Sequence, residues 1–256
     1  MLLARILSIV APFFISLVMA LLGWSPANVF YPIGLSFALL LFTLWLLLKL
    51  SRQAIGAREM FFYLFKGFLY LAGAILFFLF LETVLFKIAL VGLTLAVLLF
   101  YYNQLFNHFY KHSWLAAQPQ FFSFNYLEVL GIFFIASSLA GIRDFLDWPV
   151  WLLILILFFL VFIADLFNRL VAFGQIKLAV VDAAISSLIL TEIFWAILGN
   201  SFVYYIKGLL FASVYLMLTV AANLYYKKLQ PASIFKVYLT AVLIIGGIIL
   251  LTARWF

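Results

Sequence analysis

The sequence predicts an all-α, polytopic membrane protein: a bundle of about nine transmembrane helices forming one integral-membrane domain over residues 1–256, with the N-terminus inside and the C-terminus outside. Three observations predict it. The chain is 70% hydrophobic and only 9% charged, against roughly 25% charged in soluble domains, so lipid must solvate most of its surface. Apolar runs of about 20 residues recur along it, and at ~1.5 Å per residue each crosses a ~30 Å hydrocarbon core. The cations separate onto alternate connections, as the positive-inside rule requires.

The expected spans are 5–23, 30–50, 60–81, 84–102, 126–142, 148–168, 178–198, 201–223 and 234–253. Arg5 precedes the first run, which is long and lacks a small-residue cleavage pattern, so it reads as a retained helix rather than a signal peptide. Residues 60–102 as one helix would run over about 60 Å, twice a bilayer, so the chain must fold back at Glu82–Thr83. The connection 103–125 holds both histidines, Trp114 and Pro119 and is expected to lie on the membrane surface. Asp147 before Trp148–Pro149 reads as a helix N-cap with proline in the first turn. In the fifth span, Ala136/Ala140 and Ser137/Gly141 give small faces for close helix packing.

With this count the inner side carries Arg5, Lys49, Arg52, Arg58, Lys66, Lys111, Arg169, Lys177, Lys227, Lys228 and Lys236. The outer side carries Lys87, Arg143, Lys207 and Arg254. The net charge of +7 therefore reflects topology, and nucleic acid is not an expected partner. Cysteine is absent, which excludes disulfides and thiolate metal sites.

The candidate site lies around the hairpin of spans six and seven. Folding it about Phe173–Gly174 puts Asp165 and Asp182 at similar depth, with Arg169 and Lys177 nearer the turn. Asp165 has Arg169 four residues on, the spacing for a pair on one helix face. Asp182 has only Ser186 at that spacing, so it needs hydration, Arg169, another helix or a proton. An ionisable group in a span costs on the order of 3 kcal/mol on insertion scales, which makes Asp182, Asp165, Arg169 and nearby Glu128 binding or proton-linked candidates. Together the three carboxylates could also hold a divalent cation.

Glu192 and Lys207 each lie about seven residues from the turn at Gly199–Asn200 and are expected to form an intramembrane ion pair. His108 and His112 have the i, i+4 spacing of a metal pair but lack a third ligand; no metal or cofactor is expected, and interfacial contact with headgroups fits them better. A weak two-helix repeat is suggested by inner helix ends at 104–108, 165–169 and 223–227, with Gln104, Asp165 and Asn223 in equivalent places. A polar residue, aromatics and a cation are also what any helix end at a lipid boundary needs.

No Walker A loop, dinucleotide fingerprint or nucleophile elbow occurs. The expectation is a small transporter or lipid-handling carrier with charged sites on spans six to eight, with membrane lipid, another membrane protein or a second copy as partners. The alternatives are a non-catalytic subunit or scaffold of a membrane complex, and an intramembrane enzyme acting on a lipid at the inner surface; the balance leans away from an enzyme. A prokaryotic cytoplasmic membrane is the expected location.

Overall fold

The computed structural model describes residues 2–23, 29–50, 57–110, 125–173, 176–227 and 240. Eight helices are described: α1 (Leu2–Leu21), α2 (Phe30–Lys49), α3 (Ala57–Phe80), α4 (Val84–Tyr110), α5 (Asn125–Leu146), α6 (Val150–Phe173), α7 (Ile176–Leu198) and α8 (Tyr204–Lys227). All eight are long and apolar enough to cross a membrane, and no strand occurs among the described residues. Their outer faces carry Phe13, Leu17, Phe42, Phe86, Trp151, Phe159, Ile185 and Trp195, all exposed. So much exposed aromatic and aliphatic surface is stable only in lipid, and the chain is an integral membrane protein. The ninth expected span, 234–253, lies outside the described residues apart from Thr240, as do Lys111, His112, Trp114 and Pro119.

The chain divides into two compact units, Met1–Gly131 and Ile132–Phe256. In the first, α1 packs on α2 and α4, α2 on α3 and α4, and α3 on α4. Its core is built from Ile15, Met19, Leu40, Leu44, Leu47, Leu98 and the rings of Tyr101 and Tyr102. Lipid gives helices little hydrophobic reason to associate, so interhelical hydroxyl bonds matter more. Tyr102 Oη and Thr43 Oγ1 are 2.6 Å apart, Tyr110 donates to the Leu47 carbonyl at 2.7 Å, and Tyr101 donates to the Tyr63 carbonyl at 2.8 Å. These bonds tie α4 to α2 and α3.

The fold-back between the third and fourth spans is as tight as the lengths demand. Only Leu81–Thr83 separate α3 from α4, with the Leu81 N–H on the Phe78 carbonyl and the Lys87 N–H on the Thr83 carbonyl. α4 then runs for 27 residues, about 40 Å, well beyond the expected end at 102.

In the second unit α7 packs against α6 and α8. Phe194 of α7 and Phe211 of α8 meet edge-to-face at 5.2 Å in its interior. α5 and α8 approach so closely that a Cβ on Gly208 would lie 2.7 Å from the backbone nitrogen of Ser137 and 2.8 Å from its Cα. The small face expected on α5 is thus matched by a glycine on α8.

Asp147 departs from the expected N-cap. It sits at φ 51°, in the left-handed region, and its carboxylate lies 3.6 Å from Arg143. Pro149 instead supplies the first carbonyl of the helix, accepting from Leu152 and Leu153. A short polar side chain tolerates this backbone better than most, and the reversal lets α5 pass to α6 within three residues.

Candidate functional site

Ala164, Asp165, Asn168 and Arg169 are all buried. Their i, i+1, i+4, i+5 spacing makes one face of α6, and this face turns into the protein rather than to lipid. The Asp165 carboxylate receives hydrogen bonds from two other helices, from the Ser186 hydroxyl of α7 and, at 3.3 Å, from the Tyr215 hydroxyl of α8. One turn further on, Arg169 Nε forms an ion pair with Asp182 Oδ2 of α7 at 2.8 Å. Asp182 and Ser186 are themselves one turn apart on α7, so both rungs use the same face of that helix.

The cluster grades outward. Asp165 and Tyr215 are 3% and 0% exposed, whereas the Asp182 side chain is 29% exposed. It brings together two carboxylates, a guanidinium and two hydroxyls. In a poorly polarisable interior the hydroxyl donors stabilise the buried carboxylate. The sequence put Asp165 and Asp182 at similar depth with Arg169 nearer the turn; in the structure Arg169 pairs with Asp182, and Asp165 is bound by Ser186 and Tyr215. The sequence did not reveal Tyr215, one of several hydroxyls within an apolar run, or the attachment of Ser186 to Asp165.

Glu128 is engaged elsewhere. In the first unit its Oε2 lies 3.1 Å from Lys66 Nζ, and both residues are 2% exposed. Lys66 Nζ also stands 4.3 Å from the centre of the Phe62 ring, a cation–π distance. By sequence, Lys66 counts among the inner-side cations. α3 begins at Ala57, which carries Lys66 two and a half turns, about 13 Å, into the helix, where an ammonium needs a carboxylate. Among the described residues no group of three or more histidines and carboxylates is placed to hold a metal ion, so the expected three-carboxylate arrangement does not form. His108 stacks against Phe109 and Tyr63; His112 and the side chain of Asn223 lie outside the described residues.

The expected Glu192–Lys207 pair is also corrected. Lys207, 3% exposed, donates to both oxygens of Asp144 at 2.8 and 3.1 Å, while Glu192 is exposed on α7. Equal distance from a turn fixes depth but not azimuth. Lys207 adjoins Gly208, where α8 meets α5, and so faces the end of α5 that carries Asp144. Glu192→Gln is expected to leave stability within about 0.5 kcal/mol of wild type. Asp144→Asn strands a buried ammonium and is expected to cost on the order of 2 kcal/mol, with Asp144's partial exposure held against a larger figure. Denaturant titration of the three proteins checks this; equal losses for Glu192→Gln and Asp144→Asn would restore the first pairing.

No protein-family model, curated protein or solved structure matches the chain.

Proposed function

We propose that the protein is a carrier of a small ionic solute or charged lipid, coupled to a proton or cation taken up at the Asp165–Arg169–Asp182 cluster. The reading includes nine spans with the N-terminus inside, in a prokaryotic cytoplasmic membrane. The observation that carries it is the buried Asp165 carboxylate, which takes hydroxyl hydrogen bonds from α7 and α8 one turn from the Arg169–Asp182 ion pair. That carboxylate is held by hydroxyls from two neighbouring helices, so its charge state acts on how those helices pack.

The deep, hydroxyl-bound position suits Asp165 to the coupling proton or cation. The Arg169–Asp182 pair, nearer the surface, suits a gate or a first contact for the solute. The small-residue face that invites a scaffold reading is taken up inside the second unit, where Ser137 meets Gly208, so it does not argue for an external partner.

The test is flux through reconstituted protein. Proteoliposomes loaded with a pH-sensitive dye are challenged with a panel of alkali cations, carboxylates, phosphate and amines. Wild type is expected to move protons or cations in response to at least one solute. Asp165→Asn, which preserves shape and hydrogen bonding, should bring that signal to the level of empty liposomes while remaining monodisperse and helical. Full flux in Asp165→Asn, or no response of wild type to any member of the panel, would count against the proposal.

A further inference from the structure

The end of α4 presents a second group of polar atoms that the carrier cluster does not use. Gln104 Oε1, Asn107 Oδ1 and His108 Nδ1 are inaccessible to solvent and have no hydrogen-bond partner among the described residues. They stand at i, i+3 and i+4, so they share one face over a single turn. The face is bordered by aromatic rings of the first unit. Tyr63 of α3 lies 6.5 Å from the His108 ring, and Tyr126 of α5 lies 5.2 Å from Phe100, one turn before Gln104. Tyr126 Oη is likewise buried without a partner.

Each orphaned acceptor is costly, since a buried polar group without its bond loses the full value of its hydration. Apolar residues would remove that cost at once, and the adjoining Leu105, Phe106 and Phe109 show that the same turn accommodates them. Three acceptors on one face are the complement of a group that brings three donors. They are neutral and one is an imidazole, a poor set for a hard divalent cation, which prefers carboxylates.

We infer that Gln104, Asn107 and His108 form a binding site for a primary ammonium group, one N–H directed to each acceptor, with the flanking aromatic rings around the cation. α4 is about 10 Å longer than a hydrocarbon core needs, and these residues lie in its last two turns, at headgroup depth. The ammonium therefore comes from an aminophospholipid headgroup or from a free amine. The side chains are only partly buried, and they rotate from the turn to admit the ligand. The site lies in the first unit and stands or falls apart from the carrier reading.

The test is native mass spectrometry of the full chain in detergent, with phosphatidylethanolamine, phosphatidylcholine and phosphatidylglycerol offered in equal amounts. Phosphatidylcholine keeps the positive charge but has no N–H donor, so it separates hydrogen bonding from charge. Phosphatidylethanolamine adducts are expected to exceed each of the others by at least about tenfold, the ratio one lost charge-assisted hydrogen bond gives. Gln104→Leu/Asn107→Leu should abolish that preference without lowering the melting temperature of lipid-free protein, because it removes orphaned acceptors.

Displacement of the lipid by millimolar ethanolamine assigns recognition to the free amine as well, and resistance to it assigns recognition to the lipid; both support the site. Equal retention of the three lipids overturns the inference, and so does unchanged preference in the double variant. Dependence on an added divalent cation overturns it too. If the double variant fails to fold, the comparison of the three lipids on wild type still decides.

Discussion

Lys66→Met is expected to destabilise the protein by about 3–5 kcal/mol, the range for removing one partner of a buried ion pair. Both side chains of the Lys66–Glu128 pair are 2% exposed and 3.1 Å apart. The substitution takes the ammonium from Glu128 while the carboxylate stays inside. Removing both charges tells the two effects apart. Lys66→Met/Glu128→Gln should lie nearer wild type than either single variant, because the pair also carries the desolvation of two ions. Denaturation of the four proteins in mixed micelles measures the coupling. Simple additivity would mean that Lys66 and Glu128 do not depend on each other.

The same pair shows what could be read before the structure and what could not. Helices, their rough ends and the tight Leu81–Thr83 turn followed from apolar run length against bilayer thickness, a one-dimensional quantity that the sequence carries directly. Depth followed too, because counting residues from a turn gives distance along a helix axis. Asp165 and Asp182 were thereby put at similar depth on neighbouring helices. Azimuth did not follow. When every face of a helix is apolar, the hydrophobic pattern hardly says which face meets which neighbour. That is why Lys207 was assigned to Glu192 and not to Asp144, and why Tyr215 escaped notice.

Lys66 was counted only as an inner-side cation, and its buried pairing went unread because Glu128 comes from a helix about 60 residues away. Helix signals were misleading at Asp147, where the acid-then-proline pattern of a capped start occurs in a left-handed turn whose side chain is held by Arg143.

Gly208→Ala should be the most damaging single-methyl change in the second unit. The added Cβ would fall on the Ser137 hydroxyl and come within 2.8 Å of the Ser137 backbone, closer than non-bonded atoms approach unless a helix moves. Overpacking of this kind costs typically 1–3 kcal/mol, and the backbone overlap puts the expected loss at about 3 kcal/mol. Gly34 is the control within the same chain: nothing lies within 4 Å of a Cβ there, so Gly34→Ala should be neutral or stabilising by up to about 1 kcal/mol from helix propensity. Ser137→Gly removes the hydroxyl but not the Ser137 nitrogen and Cα, so the Ser137→Gly/Gly208→Ala double variant should recover only part of the loss. Separation of α5 from α8 would also draw Lys207 away from Asp144, the neighbouring contact between the same two helices. Gly208→Ala is therefore expected to weaken the coupling measured between Lys207 and Asp144, a readout that general loosening of α8 elsewhere would not move. Wild-type stability in Gly208→Ala would show that the two helices are not held at this distance.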